Sequence, residues 1–271
     1  YAAFTTRHHD GFALWPSKHG NLSTLNFMKW RDLVGEFVLA CRRNNIKVGL
    51  YYSPPDWYFN QDYTSFGGSG LDIDHKPRPN RPAPPEHAAA FGRYIRGQVD
   101  ELLTRYGQID LLWFDGMGAD VQSFDELRQL QPGIVVNPRA HGYFTTPEGV
   151  FPKEPISNWW EFCTCFCNGG WGYVDNEIHQ SSGWFLEQLA NTRAWNGNFL
   201  PSTGPDGDGE MAPIYYQRMR QLEAWMKHSS ESMFDVTGIS EPGIANVPLT
   251  AKGNAWYAHV TWLIDLPVEI K

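Results

Sequence analysis

Ile109-Asp110-Leu111-Leu112-Trp113-Phe114-Asp115-Gly116 is an apolar run that stops abruptly at a carboxylate and a glycine. Nearly continuous hydrophobicity, without polar alternation, marks a strand buried on both faces, as in parallel sheets covered by helices. Asp115 then stands at the strand's C-terminal end, where barrels of this class carry their catalytic groups. An aspartate before a glycine also suits a turn or a helix cap. The segment by itself leaves both uses open.

Outward from this run, short β-branched or aromatic stretches alternate with longer helical patterns, the signature of consecutive βα units. Strands are expected near 2–6, 46–52, 109–114, 133–137, 156–160 and 198–200. A helix near 30–43 places Leu33, Val34, Phe37, Val38 and Cys41 on one face, and one near 86–106 does so with Phe91, Ile95, Val99, Leu102 and Tyr106. Gly107 follows as a natural C-cap. Ser123 and Glu126 form a capping box opening a helix near 124–131, and further helices fit 182–195 and 213–228. Beyond about residue 235 the pattern turns to short alternating runs, with Trp256, His259, Val260, Trp262 and Ile264 among Gly and Pro.

The expected class is therefore α/β: a (β/α)8-type TIM barrel over 1–235, then the start of a small, sandwich-like C-terminal β domain over 236–271. The strands read here are fewer than a closed barrel's eight, so the barrel is expected to be N-terminally incomplete, with an early strand upstream of Tyr1. A doubly wound open sheet is the alternative, but no Gly-rich phosphate loop follows a strand to support it. Loops 53–85 and 138–155 are long, follow strand ends, and are expected on the catalytic face.

Composition narrows the chemistry. Aromatics make up 15% of the 271 residues, with 12 Trp, and charged residues only 19%, as suits a folded core. A net charge of -8 without Lys/Arg clusters argues against a nucleic-acid partner. No run reaches the roughly 18 apolar residues of a membrane span. Cys41, Cys163, Cys165 and Cys167 do not form a disulfide framework for a chain this size, and the C-x-C-x-C spacing lacks the paired spacing of structural zinc, even with His179 in reach.

A second carboxylate, Glu161, closes the segment Asn158-Trp159-Trp160 and is flanked by Phe162. Apolar neighbours raise a carboxyl pKa by desolvation. A pair of such acids is what glycosidic cleavage needs, one attacking the anomeric carbon and one protonating the leaving oxygen. Glu161 as a plain loop acid is the other reading. The first strand runs into Arg7-His8-His9-Asp10-Gly11. Adjacent residues of a strand point to opposite faces, so both imidazoles reach one pocket only if the chain has already left the sheet. Hydrogen bonding to sugar hydroxyls is the favoured use of this pair, ahead of a metal site with Asp10. Tyr51, Trp15, Trp57, Trp171 and Tyr173 offer aromatic walls for a sugar's apolar faces, with core packing the alternative for each.

Together these segments resemble the α-L-fucosidases of glycoside hydrolase family 29. The resemblance rests on His8-His9-Asp10-Gly11-Phe12 with Trp15 and Lys18, Arg31-Asp32-Leu33-Val34-Gly35, and Gly49-Leu50-Tyr51-Tyr52-Ser53 with Trp57. It continues through Leu112-Trp113-Phe114-Asp115-Gly116, Trp160-Glu161 with Trp171-Gly172-Tyr173, and Gly197-Asn198-Phe199 with Gly204-Pro205-Asp206-Gly207-Asp208-Gly209, in family order over about 1–235. It implies retaining exo-hydrolysis of terminal α-L-fucosides on fucosylated oligosaccharides or glycoconjugates, without metal or cofactor. It further implies Asp115 as nucleophile, Glu161 as candidate acid/base, and His8, His9 and Tyr51 as holders of the fucose hydroxyls. A secreted, periplasmic or lysosomal setting is implied only in this way. The family's upstream His-Trp-Gly strand is absent, and Phe199-Leu200-Pro201-Ser202-Thr203 stands where the family has Leu-Asn before Gly-Pro. A galactoside-cleaving barrel and a carbohydrate-binding homologue without turnover are the alternatives.

Overall fold

The structure, a computed structural model, describes residues 1–116, 121–137, 142, 144–168, 170–261 and 267–271. Part of loop 138–155 and, of the alternating C-terminal runs, Trp262 and Ile264 lie outside the described residues. The chain divides into two compact units, Tyr1–Tyr143 and Phe144–Lys271.

In the first unit, β1 (Ala2–Arg7) leads through the short α1 (Thr24–Phe27) and α2 (Leu33–Arg43) to β2 (Val48–Tyr52). The following loop holds a small hairpin, β3 (Thr64–Ser65) and β4 (Gly68–Ser69), before α3 (Pro85–Arg105). Then come β5 (Leu111–Phe114), α4 (Phe124–Leu130) and β6 (Val135–Val136). The main sheet has the order β1-β2-β5-β6, and every neighbouring pair is parallel. All four residues of β5 are buried, as the uninterrupted apolar run requires of a covered parallel strand.

The helices follow from local signals. Asp32 caps α2 by accepting from the Gly35 N–H at 2.8 Å, and Val34, Val38 and Cys41 face inward. Pro85 begins α3, where a missing N–H costs nothing, and Tyr94, Ile95, Gln98, Val99, Leu102 and Leu103 are its buried stripe. Gly107 follows it in the left-handed region at φ 70°. The Ser123–Glu126 capping box is formed in both directions. Leu50 and Leu112 are fully buried at the centre of the resulting core, each stabilising it by about 2 kcal/mol through burial.

In the second unit, β7 (Glu161–Cys165) and β8 (Asn198–Ser202) form a parallel pair, with α5 (Ser182–Ala194) between them in sequence. Single bridges from Thr145 to Trp160 and from Glu148 to Cys163, both parallel, extend this pair on the β7 side. Trp160, Phe162 and Phe199 form its core with Phe151, Trp184, Phe185 and Trp195. After α6 (Pro213–Ser229) and a 3-10 turn at Ser230–Ser232, β9 (Thr237–Ile239), β10 (Leu249–Lys252) and β11 (Ala255–Ala258) make an antiparallel sheet.

One strand departs from expectation. The strand of this region is Glu161–Cys165, not 156–160. Glu161, Phe162, Cys163 and Thr164 are all buried, the pattern of a strand covered on both faces, with cysteine acting as a small apolar residue. Trp159, inside the expected range 156–160, is 72% exposed. Glu161 therefore opens a strand instead of closing one. None of the four cysteines is in a disulfide. The described strands form separate four- and two-stranded parallel sheets, and no closed barrel is traced among them. Among the described residues no helix is long and apolar enough to cross a membrane.

Candidate active site

Three neighbouring parallel strands of the first unit end in one polar cluster. β1 stops at Arg7, so His8 and His9 lie beyond the sheet, which frees both rings from strand alternation. Tyr51 is the penultimate residue of β2, and Asp115 directly follows β5. Register places Thr5 beside Tyr51 and Tyr51 beside Trp113, so the strand ends are level.

Asp115 is held at both oxygens. The Tyr51 hydroxyl donates to Oδ2 at 2.5 Å, and the Gly116 N–H donates to Oδ1 at 2.8 Å. His9 Nε2 lies 3.6 Å from Oδ2. Gly116 is required by both conformation and space: its φ is 72°, and a Cβ would come within 2.7 Å of the Pro55 ring. The carboxylate side chain keeps 19% exposure, enough for a ligand to reach it.

The imidazoles differ. His9 is buried, and its Nδ1 is hydrogen-bonded to the Ser53 hydroxyl. His8 faces solvent, with its ring stacked 5.8 Å from Tyr51. Desolvation by the surrounding protein holds the His8 imidazole below its usual value, opposed by Asp10. A neutral ring at pH 7 offers one donor and one acceptor, the capacity a sugar hydroxyl needs. His8, His9 and Asp115 each present a ligand atom within 4.8 Å of the others, a spacing that would also admit a cation. The carboxylate grouped with the pair is Asp115; Asp10, weighed in sequence as the acid of a less favoured metal site, is not part of it.

An aromatic wall stands beside these groups. Trp57 meets His9 edge-on at 5.4 Å, and its indole N–H donates to the Phe66 carbonyl at 2.8 Å. Phe66, which sequence reading passed over, brings its ring 4.9 Å from His9 and is 45% exposed. Its signal was weak: one aromatic in a Gly-rich loop, placed only by the β3–β4 hairpin. Ser53 was likewise missed as a site residue. Trp15 does not join the cluster. It is fully buried in the core, with its indole N–H donating to Glu101 of α3 at 2.9 Å.

The second unit holds Glu161, Trp171 and Tyr173. Glu161 is 3% exposed and accepts from the Asn198 side chain at 2.6 Å, joining the first residues of β7 and β8. Burial pushes its carboxyl up to about 7, and the Asn198 hydrogen bond opposes the shift without cancelling it. Trp171 and Tyr173 are exposed, and the Tyr173 hydroxyl donates to Asp175 at 3.1 Å. Gly204 lies against this segment, where a Cβ would approach Tyr173 N within 2.6 Å. Glu148, Cys165, Cys167 and Glu177 gather toward the C-terminal end of β7, where burial, Cys167 and the two acids push the Cys165 thiol up to about 11.

The alpha-L-fucosidase family model matches residues 1–231. The chain is 28% identical over 263 residues to tissue alpha-L-fucosidase of Rattus norvegicus, covering 86% of this chain and 52% of the rat protein. It is 27% identical over 284 residues to the Homo sapiens tissue enzyme, covering 95% and 57% respectively. The chain thus spans about half the length of the curated relatives it matches. Among solved structures, alpha-L-fucosidase isoenzyme 1 from Paenibacillus thiaminolyticus superposes with a TM-score of 0.80 at 30% identity, over 96% of this chain and 67% of that one. A fucosidase of family 29 from Bacteroides thetaiotaomicron, solved as a trapped covalent intermediate, shares the fold with a TM-score of 0.73 at 24% identity, over 88% of this chain and 59% of that one. Such neighbours have a TIM-barrel-like domain followed by a β domain. With six sequence blocks in order, a carboxylate held at the ends of parallel strands, and a family match over most of its length, this chain belongs to the alpha-L-fucosidase family, glycoside hydrolase family 29.

Proposed function

We propose that the chain carries the catalytic part of a retaining exo-α-L-fucosidase, acting on terminal α-L-fucosides of oligosaccharides or glycoconjugates by double displacement. The observation that carries this is the Asp115 cluster. A carboxylate oriented by Tyr51 and the Gly116 N–H faces two imidazoles at the C-terminal ends of parallel strands. Asp115 attacks the anomeric carbon to form a fucosyl ester while the aglycone oxygen takes a proton, and water then cleaves the ester with the same acid/base residue acting as base. His8, His9 and Tyr51 bind sugar hydroxyls, Trp57 supplies an aromatic wall, and Phe66 offers an apolar surface for the C6 methyl that separates L-fucose from L-galactose. Trp171 and Tyr173, exposed in the second unit, serve as further sugar-binding aromatics. We assign 1–235 to a (β/α)8-type barrel and 236–271 to part of a small β domain; the neighbours' barrel-like domain followed by a β domain supports the order of the two, and the boundary is our own reading of the sequence.

Glu161 suits the acid/base role by protonation, because a carboxyl pushed up to about 7 keeps its proton near neutrality. Its position favours a second reading. Glu161 opens β7, about 13 Å along the strand from its C-terminal end, whereas the groups around Asp115 stand at the ends of their strands. Glu148 is exposed, bridges to Cys163, and acts electrostatically on Cys165 at the far end of β7. Glu148 is therefore the second candidate.

The test is hydrolysis of 4-nitrophenyl α-L-fucoside beside the β-D-galactoside. Preferential cleavage of the fucoside is expected, with Asp115→Ala lowering kcat by roughly three orders of magnitude and azide restoring part of it as fucosyl azide. Full activity in Asp115→Ala removes that residue from the mechanism.

A further inference from the structure

The assignment of His9 to the sugar leaves open which of its nitrogens carries the proton, and the structure places one side chain to decide it. Ser53 follows β2 and is fully buried. Its hydroxyl meets His9 Nδ1, while the other ring nitrogen, Nε2, faces Asp115 Oδ2 at 3.6 Å. A carboxylate on the Nε2 side favours a proton there, and a neutral imidazole with Nε2–H has a lone pair on Nδ1. That lone pair needs a donor. The Ser53 hydroxyl supplies it, since its alternative acceptor, the Pro55 carbonyl, lies at 3.4 Å.

The hydroxyl is held in place from beneath. Arg7, fully buried, donates through Nη2 to the carbonyls of three successive residues: Ser53, Pro54 at 2.8 Å and Pro55 at 3.2 Å. Its Nη1 donates to Gln98 at 2.9 Å and lies 3.4 Å from Asp56, which also accepts from the Tyr94 hydroxyl at 2.7 Å. Burial works against the guanidinium charge, but Tyr52, Tyr94 and Asp56 outweigh it, so Arg7 stays charged. Two prolines with fixed φ and one buried cation leave the Ser53 backbone little freedom. Without that rigidity the hydroxyl would turn to other acceptors.

We propose that Ser53, anchored by Arg7, is a positioning residue that fixes His9 as the Nε2–H tautomer, so that His9 presents a donor toward Asp115 and toward the substrate hydroxyl bound beside it. The functional half of this proposal rests on the fucosidase reading above. The tautomer half does not.

The experiment therefore has two arms. In protein labelled with 15N-histidine, with His9 assigned by its loss in His9→Gln, the wild type should show an acceptor-type Nδ1 and a protonated Nε2. Ser53→Ala should shift the two signals toward a tautomer mixture. With 4-nitrophenyl α-L-fucoside, Ser53→Ala should lower kcat/KM about tenfold or more, mostly through kcat, and Ser53→Thr, which keeps the hydroxyl, should recover most of the loss. His9 signals unchanged in a folded Ser53→Ala protein, or a kcat/KM within twofold of wild type, overturn the proposal. If the wild type turns over no fucoside, the activity reading fails and the 15N arm alone decides on Ser53.

Discussion

Replacing Glu161 by Gln isolates the energetic effect of one buried carboxyl. In the folded protein that carboxyl is pushed up to about 7 from an ordinary 4.5, chiefly by burial. The folded state thus keeps a proton that the unfolded chain releases, and stability falls as pH rises between these two values. The full effect is about 3 kcal/mol, and about 2.5 kcal/mol of it lies between pH 5 and pH 8. Glutamine mimics the protonated acid: it cannot ionise, and its carbonyl can still accept from Asn198. Urea unfolding of both proteins at pH 5, 6, 7 and 8 reads the difference directly, with every other titrating group common to the two. Wild type should lose stability relative to Glu161→Gln, by about 2.5 kcal/mol over this range and mostly below pH 7. Parallel stability curves would show that Glu161 ionises as freely in the fold as in water, and the account of its burial would be wrong.

The acid/base residue is identified by leaving-group dependence: 4-nitrophenol departs without protonation, whereas a sugar leaving group needs a proton. The variant of the true acid, Glu161→Gln or Glu148→Gln, should lose roughly 100-fold or more on a fucosyl disaccharide and much less on the nitrophenyl substrate, while the other variant loses similarly on both. Gly116→Ala forces a Cβ into the left-handed region against Pro55, so it should cost roughly 1–3 kcal/mol in urea unfolding and reduce turnover by displacing Asp115. A variant as stable and active as wild type would mean that the loop after β5 relaxes freely.

Much of the architecture is legible in sequence because it is local. The run ending at Asp115, the Ser123–Glu126 capping box, the apolar stripe of α3 and Gly107 each encode their element within a few residues; each element forms, with Tyr94, Gln98 and Leu103 buried beside the expected Ile95, Val99 and Leu102 of α3 and Phe91 only partly buried. The exception is instructive. The strand expected at 156–160 lies instead at Glu161–Cys165, selected by its parallel pairing with Asn198–Ser202.

By itself, then, the sequence determined the βα rhythm, the acid at the end of β5, and the family. Hydrophobic period, caps and motif order depend on near neighbours along the chain. Tertiary structure alone decided which of those residues meet. It carried His8 and His9 past the end of β1 to Asp115, buried Trp15 against Glu101, and brought Phe66 and Ser53 to His9. It also set Glu161 at the entrance of its strand, where burial changes its chemistry. These outcomes depend on register and on the packing of segments distant in sequence, for which a single chain of letters holds no local signal.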